Sequence, residues 1–215
     1  MSSDPPLAVG WVDAELAAEF PDLALVTTEV AGSGGRTSRA VKDQLKQLSN
    51  RFTGARAITL RQEHVPWAYR VFFRHVGIDP DDRRTPIEQI AVDRLRHGGF
   101  KSHGRVEDAL LIATLETAVP VVAFDADRVD GELGLRLTAT GELLGGTGRS
   151  LASGQLAIAD GARVVQVLFG DAADGVAPDR DTTRIVLGAL RVKGVPAVSV
   201  EEALWMAADL LQNEA

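Results

Sequence analysis

The chain has 215 residues, of which 45% are hydrophobic and 25% are charged, and its net charge is -7. This composition is typical of an ordinary globular protein, and no apolar run approaches the length of a membrane span. Because the sequence contains no cysteine, a disulfide framework, a thiolate nucleophile and a zinc ribbon are all excluded. The first ten residues lack the basic segment and apolar core of a signal peptide, so we expect one cytoplasmic domain over residues 1–215.

The charges are distributed unevenly along the chain. Residues 1–35 carry six acidic residues and no basic one, residues 36–105 carry 15 basic against 7 acidic residues, and residues 106–215 carry 8 against 17. The basic middle third predicts a local positive surface of the kind that binds RNA phosphates. The alternative is a mixed, solvated surface in which folding interleaves the three segments.

The N-terminal pattern predicts a short helix over residues 14–20 and a strand over residues 23–30, followed by the glycine-rich stretch 31–35. A strand, a glycine loop and a helix are typical of phosphate-binding loops. This loop lacks both the Gly-Lys-Ser/Thr ending and the full Gly-x-Gly-x-x-Gly spacing, so a flexible connector is the favoured interpretation.

A helix is predicted over residues 36–50, and four cations fall on one of its faces: Arg36, Arg39, Lys42 and Lys46. These four are the candidate RNA-binding residues, with an ordinary solvated face as the alternative. The next segments predict a strand over residues 57–60 and an amphipathic helix over residues 65–76. Its aromatic residues Trp67, Tyr69, Phe72 and Phe73 are predicted to belong to the core rather than to a base-stacking platform.

Thr85-Pro86-Ile87-Glu88 predicts a helix start, because Thr85 can cap the helix and Glu88 can complete a capping box. Helical spacing then predicts a core face made of Ile87, Ile90, Ala91 and Leu95. Residues 97–104 form a Gly/His loop with His97 and His103, and no clear third ligand for a metal stands nearby. A mobile loop over a pocket mouth and an ordinary exposed loop are both open.

A buried helix is predicted over residues 105–118, with Asp108 placed in its first turn to suit the helix dipole. From residue 120 the period changes to two, which predicts strands over 121–124, 132–137, 156–158, 164–168 and 185–187. A last helix over residues 200–213 should face inward with Val200, Leu204, Ala207, Ala208 and Leu211.

Several of these segments resemble a known family in their order and spacing. They are the helix start at Glu88, Val106-Glu107-Asp108, Pro120 through Phe124-Asp125, Gly141-Glu142 and Asp181-Thr182. Over roughly residues 65–190 the chain resembles the tRNA-editing (B3/B4) domain of the bacterial phenylalanyl-tRNA synthetase β subunit and its freestanding relatives. The resemblance implies a three-layer α+β fold with a sheet core flanked by helices, on which the segment 8–60 and the helix 199–213 pack.

The resemblance also implies a function: binding of tRNA at its aminoacylated 3′ end and hydrolysis of the ester of a mischarged species. Such a site needs only polar groups that orient a water and stabilise the oxyanion, with no metal or other cofactor. His103 and Asp171 are the candidate catalytic residues. The expected substrate pocket consists of Leu110, Leu111, Glu116, Val122, Asp174 and Thr182. No DNA or membrane partner is expected.

The chain departs from the family at its pocket, since Leu110-Leu111 replaces a polar pair and Val122 replaces a histidine. We therefore expect the domain to reject an aromatic hydroxyl, which would lie unpaired. Two alternatives stay open: a non-catalytic RNA- or amino-acid-binding module of the same fold, and a nucleotide-binding enzyme that uses the loop at residues 32–35. A ligase is not expected, because the chain is short and carries no recognisable ATP-binding motif.

Overall fold

The computed structural model describes residues 4–213, and within that range eight strands form two four-stranded sheets with seven α-helices around them. The strands are β1 (Ala8–Val9), β2 (Trp11–Val12), β3 (Ala24–Ala31), β4 (Val121–Asp125), β5 (Gly134–Leu137), β6 (Leu156–Ala159), β7 (Val164–Val167) and β8 (Arg184–Arg191). The helices are α1 (Ala14–Glu19), α2 (Arg39–Arg51), α3 (Gly54–Thr59), α4 (His64–His75), α5 (Pro86–His97), α6 (Arg105–Thr117) and α7 (Ala197–Gln212). The predicted α+β class is confirmed.

The first sheet has the strand order β1-β3-β8-β4 and is antiparallel throughout. The second has the order β2-β5-β6-β7, with β2 parallel to β5 and the other pairs antiparallel. Gly10 lies between β1 and β2 and passes the chain from one sheet to the other. Its amide donates to Leu25 O at 2.8 Å, and a Cβ on Gly10 would lie 2.1 Å from Leu133 O, so only glycine fits there.

Helix α6 lies between two hydrophobic clusters. Ala109 and Ala113 belong to the larger cluster, which reaches from Leu16 to Leu211 and includes both sheets. Ile112 and Leu115 belong to a smaller cluster that they share with α2 and α5. Helix α7 packs on α6 and on the first sheet, and the five residues predicted to face inward from it are all fully buried.

Local signals explain where the helices begin. The predicted capping box of α5 is present, with Glu88 accepting from the amide of Thr85 at 3.2 Å and from its hydroxyl at 2.8 Å. Helix α2 begins at Arg39, because Ser38 is its N-cap and accepts from the amide of Val41. Arg36 therefore precedes the helix instead of lying on its face, which corrects that part of the prediction.

Three further predictions were wrong. The strand expected at residues 57–60 is helix α3 and the turn after it, because Thr53 caps a helix by accepting from the amide of Arg56. Trp67 is 50% exposed, although Tyr69, Phe72 and Phe73 are buried as expected. Leu95 is 46% exposed and contributes little to the core face of α5.

No helix within residues 4–213 combines the length and apolar character needed to cross a bilayer.

Candidate functional site

An open cleft of about 440 Å³ lies where three separate segments of the chain meet. They are the glycine stretch after β3, the loop before α6 and the segment 178–180 before β8. His103 lines this cleft, which we call the His103 cleft, together with Gly34, Gly35, Arg36, Thr37, Lys42, Ser102, Gly104, Glu107, Pro178, Asp179 and Arg180. The Gly/His loop therefore faces a concave site.

The buried carboxylate of Asp108 fixes the Gly/His loop through hydrogen bonds. Asp108 is fully buried, and its Oδ2 accepts from the hydroxyls of Thr37 and Ser102. Its Oδ1 accepts from the amide of His103 at 2.9 Å. One side chain from the first turn of α6 thus ties the His103 loop to the segment that precedes α2, a role beyond the predicted interaction with the helix dipole.

The glycine stretch forms a second wall of the cleft through a close backbone approach. The amide of Gly34 donates to Asp179 O at 2.7 Å, and a Cβ on Gly34 would lie 2.8 Å from that carbonyl. The amide of Gly32 donates to Thr183 O at 3.1 Å. Because these two amides are engaged inside the protein, they are not available to cradle a phosphate. This geometry argues against the nucleotide-binding alternative.

Thr182 stabilises the third wall of the cleft, which residues 178–180 form, from its buried side. Its hydroxyl donates to the buried carboxylate of Asp125 at 2.6 Å and accepts from the amide of Asp179 at 2.9 Å. Arg128 pairs with both Asp125 and Asp179, and its hydrogen bond holds the pKa of the Asp179 carboxyl below its ordinary value. Thr182 therefore lies beneath the wall and positions residues 178–180, instead of lining a pocket.

Two of the four candidate RNA-binding residues, Arg36 and Lys42, line the cleft, and Arg180 adds a third cation. Arg39 and Lys46 are exposed on α2 outside it. The side chain of Arg39 is 97% exposed and reaches Asp43 only at 3.9 Å, a separation at which a surface ion pair contributes little. The outer surface of α2 beside the cleft is therefore basic and accessible.

The two candidate carboxylates Asp171 and Asp174 lie outside the His103 cleft. Asp171 has a side chain 73% exposed and pairs with Arg149 at 2.8 Å. Asp174 is exposed in the segment that leads to β8. The structure therefore does not bring His103 and Asp171 together.

The remaining predicted pocket residues are dispersed around α6 and β4. Leu110 packs on the larger hydrophobic cluster and Leu111 on the smaller one, so they lie on different sides of α6. Glu116 pairs with Arg51 of α2. Val122 is half-buried on β4. These four residues do not form one pocket.

Val122 has an unexpected neighbour in the first sheet. It pairs with Gly188 of β8, and Gly188 pairs with Thr27 of β3. A Cβ on Gly188 would lie 3.2 Å from Val122 Cγ2 and 3.4 Å from Leu25 Cδ1. Val122, Gly188 and Thr27 are thus aligned across three strands with close packing at Gly188, and the sequence contained no signal for this cross-strand alignment.

Metal ligation finds no support in the described part of the chain, where no three His, Asp or Glu side chains gather closely enough to hold an ion.

Comparison with known proteins places the chain in a family. The B3/4 domain matches it over residues 68–213. The chain is similar to the phenylalanine–tRNA ligase beta subunit of Legionella pneumophila (strain Lens), with 31% identity over 91 residues, 42% of this chain and 11% of that subunit. It is also similar to the corresponding subunit of Photorhabdus laumondii, with 32% identity over 100 residues, 44% of this chain and 12% of that subunit. The matched region is a small part of these relatives, and the chain belongs to the B3/4 domain family.

Proposed function

We propose that this chain binds the aminoacylated 3′ end of tRNA in the His103 cleft and hydrolyses the ester of a mischarged species. The observation that carries the proposal is the meeting of His103 with the cations Arg36, Lys42 and Arg180 in one open cleft. A volume of about 440 Å³ lies in the range that holds a drug-sized ligand, which a terminal nucleotide with an attached amino acid resembles in size.

In this proposal the reaction is an attack of water on the ester carbonyl. The imidazole of His103 takes a proton from that water, a task for which histidine is the side chain most often used. A neighbouring cation stabilises the negative charge that develops on the carbonyl oxygen, and the 3′ hydroxyl of the tRNA leaves with a proton. The buried carboxylate of Asp108 keeps the His103 backbone fixed, so the loop needs little reorganisation.

The basic surface supplies the affinity for RNA. Arg36 and Lys42 contact phosphates at the cleft, and Arg39 and Lys46 extend the positive surface along α2. Phosphate neutralisation of this kind dominates the binding of nucleic acids. The similarity to subunits named as phenylalanine–tRNA ligase supports tRNA as the partner. A ligase activity is not proposed, because the matched region amounts to 11% and 12% of those subunits.

A second candidate function is a non-catalytic RNA- or amino-acid-binding module. The observation that favours it is the position of Asp171, which pairs with Arg149 away from the cleft and leaves His103 without the second predicted catalytic residue. The side chain of Val122 points the same way, because the resemblance implies a histidine at this position and Val122 has no polar group to hold a water.

Deacylation of a panel of mischarged tRNAs, measured beside tRNA binding, separates the two functions. We expect ester hydrolysis of at least one member of the panel well above the spontaneous rate. Binding without hydrolysis of any member of the panel would select the non-catalytic module. Absence of tRNA binding at low salt would reject the hydrolase and the RNA-binding module and would leave only an amino-acid-binding module.

A further inference from the structure

An apolar groove of about 230 Å³ lies between α3 and α5, and none of its lining residues lines the His103 cleft. We call it the α3–α5 groove. Its apolar side chains are Ala57 and Ile58 of α3 and Ala91, Val92 and Leu95 of α5. Ile58 is 72% exposed and Leu95 is 46% exposed, so two large apolar side chains at this groove remain in contact with water. Exposed apolar surface that is bordered by polar residues is typical of sites where another molecule binds.

Trp67 extends this apolar surface along α4, where the residue is 50% exposed. The guanidinium of Arg74 lies 5.9 Å from the centre of the Trp67 ring and 3.8 Å from the carboxylate of Asp81, which lines the groove. The Trp67 ring therefore lies beside the groove, and three helices contribute exposed large apolar side chains to this region. Tryptophan and arginine are enriched at the surfaces by which proteins bind one another.

The charges around the groove favour an anionic partner. Arg70 pairs with Glu88 and with Asp81, so these three charges largely neutralise one another inside the protein. Arg61 and Arg84 also line the groove and are exposed, and neither makes a hydrogen bond or ion pair with any residue between 4 and 213. Two arginines without partners beside an apolar groove are complementary to a partner that carries carboxylates next to apolar side chains.

The size and the walls of the groove indicate what kind of molecule fits. A volume of about 230 Å³ lies below the roughly 300 Å³ at which pockets for small ligands begin, but it holds one or two apolar side chains of a docked segment. An RNA strand would pair its phosphates with the arginines and would leave Ile58 and Leu95 uncovered. The walls are helices, which offer no sheet edge to which a strand could be added, whereas a helix packs well between two helices.

From this combination we infer that the α3–α5 groove docks an acidic amphipathic helix of a partner protein. Apolar side chains three and four residues apart on that helix contact Ile58, Val92 and Leu95. Carboxylates on its flanks pair with Arg61 and Arg84. The inference goes beyond the proposed function and does not rest on it, because the groove and the His103 cleft have no residue in common.

The partner class is tested with three labelled peptides of about four helical turns, added to the full chain. The first has leucine on one face and glutamate on the other, the second has lysine in place of every glutamate, and the third is a scrambled form of the first. Fluorescence anisotropy measures affinity, and backbone amide chemical shifts locate the bound peptide. The acidic amphipathic peptide should bind saturably below about 1 mM and shift amides of α3 and α5, and the other two should not.

The place of binding is tested by substitutions at exposed positions, which should leave the fold intact. Ile58→Ser should weaken binding of the acidic peptide about tenfold, because it removes an apolar contact. Arg61→Gln combined with Arg84→Gln should also weaken it about tenfold, because two charge-assisted interactions are lost. The matched controls are Val198→Ser, at a position 53% exposed on α7, and Lys193→Gln, and both should leave affinity unchanged.

Four results would overturn the inference. The first is equal affinity of the acidic peptide and its scrambled form, which would mean that charge alone drives binding, and the second is no saturable binding at all. The third is binding that Lys42→Gln abolishes and Ile58→Ser preserves, which would place the peptide at the His103 cleft. The fourth is occupation of the groove by something else: by tRNA, seen as saturable shifts of α3 and α5 amides, or by a second copy of the chain, seen as dimers in sedimentation that Ile58→Ser abolishes.

Discussion

The guanidinium of Arg70 on α4 donates to the carboxylate of Glu88 on α5 at 2.6 Å, and both side chains are more than nine-tenths buried. The same carboxylate caps α5 by accepting from Thr85, and Arg70 also donates to Asp81 at 2.6 Å. Glu88 therefore has two tasks: it satisfies the start of one helix and neutralises a buried cation of another. The second task requires a negative charge at this position.

Glu88→Gln is expected to destabilise the protein by about 1–3 kcal/mol, because it removes one of the two carboxylates that neutralise the buried Arg70 and weakens a charge-assisted hydrogen bond, while Asp81 stays as a counterion. Urea unfolding at neutral pH measures the free energy of unfolding. The control is Asp43→Asn, which breaks the exposed pair with Arg39 and should change stability by about 0.5 kcal/mol or less. Equal effects of the two substitutions would show that the buried pair contributes no more than the surface pair.

The helix that Glu88 caps shows which parts of the fold were predictable from sequence. Capping boxes and helical spacing act within a few residues, so the start of α5 and the inner face of α7 were correctly predicted. The partner of Glu88 is 18 residues away on another helix, and no local pattern indicates such a pairing. The wrong prediction of a strand at residues 57–60 also has a local cause, because a short apolar run fits both a strand and a helix.

The candidate site was less predictable because its walls come from distant segments. Gly34 meets Asp179 across the fold, and Thr37 meets Asp108 through a hydrogen bond that spans 71 positions. The order of the motifs was nevertheless informative about the fold. Asp125 and Thr182, which belong to two of those motifs, bond to each other and hold the wall of the cleft. These two residues, on which the resemblance partly rests, therefore stabilise the fold.

Asp108→Ala is expected to loosen the His103 loop, since three donors lose their common acceptor. Leaving buried donors unpaired should cost about 1–3 kcal/mol of stability, and the amide of His103 should exchange with solvent faster. Hydrogen exchange and urea unfolding measure the two effects. Glu202→Ala, at an exposed position on α7, is the control and should show neither effect. Unchanged exchange at His103 in Asp108→Ala would show that other interactions hold the loop.

Acid should weaken the pairing of Glu142 with Arg136 on β5. Glu142 accepts from both Nη atoms of Arg136 and from the amide of Ala139 at 2.8 Å, and the hydrogen bond from Arg136 holds its pKa below the ordinary value. Because the folded pKa is lower than the unfolded one, the stabilisation is complete above the unfolded pKa and is lost as the pH falls through the folded pKa.

Glu142→Gln should therefore destabilise the protein at pH 7, and its difference from the wild type should shrink between about pH 5 and pH 3. Urea unfolding of both proteins across this pH series measures the difference. If the difference in the free energy of unfolding between the two proteins stayed constant down to the lowest pH of the series, the charge of Glu142 would not contribute to stability.

Charge reversal on α2 tests the RNA-binding surface. Arg39→Glu combined with Lys42→Glu should weaken tRNA binding and should reduce the slope of log K against log salt. The reduction should be about 0.9 for each duplex phosphate that the protein no longer neutralises, or about 0.7 where the RNA is single-stranded. Arg61→Glu with Lys193→Glu changes the net charge equally at exposed positions away from the cleft and serves as the control. An identical slope for the two double variants would remove α2 from the interface.

His103→Ala is the most direct test of catalysis in the cleft. General acid–base groups contribute roughly 10²–10⁴-fold to the rates of the reactions they assist, so the variant should deacylate mischarged tRNA slower by a factor in that range. Its melting temperature should stay close to that of the wild type, because His103 is exposed and the hydrogen bond to Asp108 uses its backbone amide rather than its ring.

The control for His103→Ala is His97→Ala, which removes an equally exposed imidazole at the end of α5, outside the cleft. This variant should keep full activity. If both variants deacylated at the wild-type rate and both bound tRNA normally, the ester would be hydrolysed without an imidazole. A variant of His103 that lost stability but kept full activity per folded molecule would instead make His103 a structural residue. The water would then have to be held by another polar group of the cleft, and Glu107 is the first carboxylate to substitute next, because it lines the cleft and packs against Gly104.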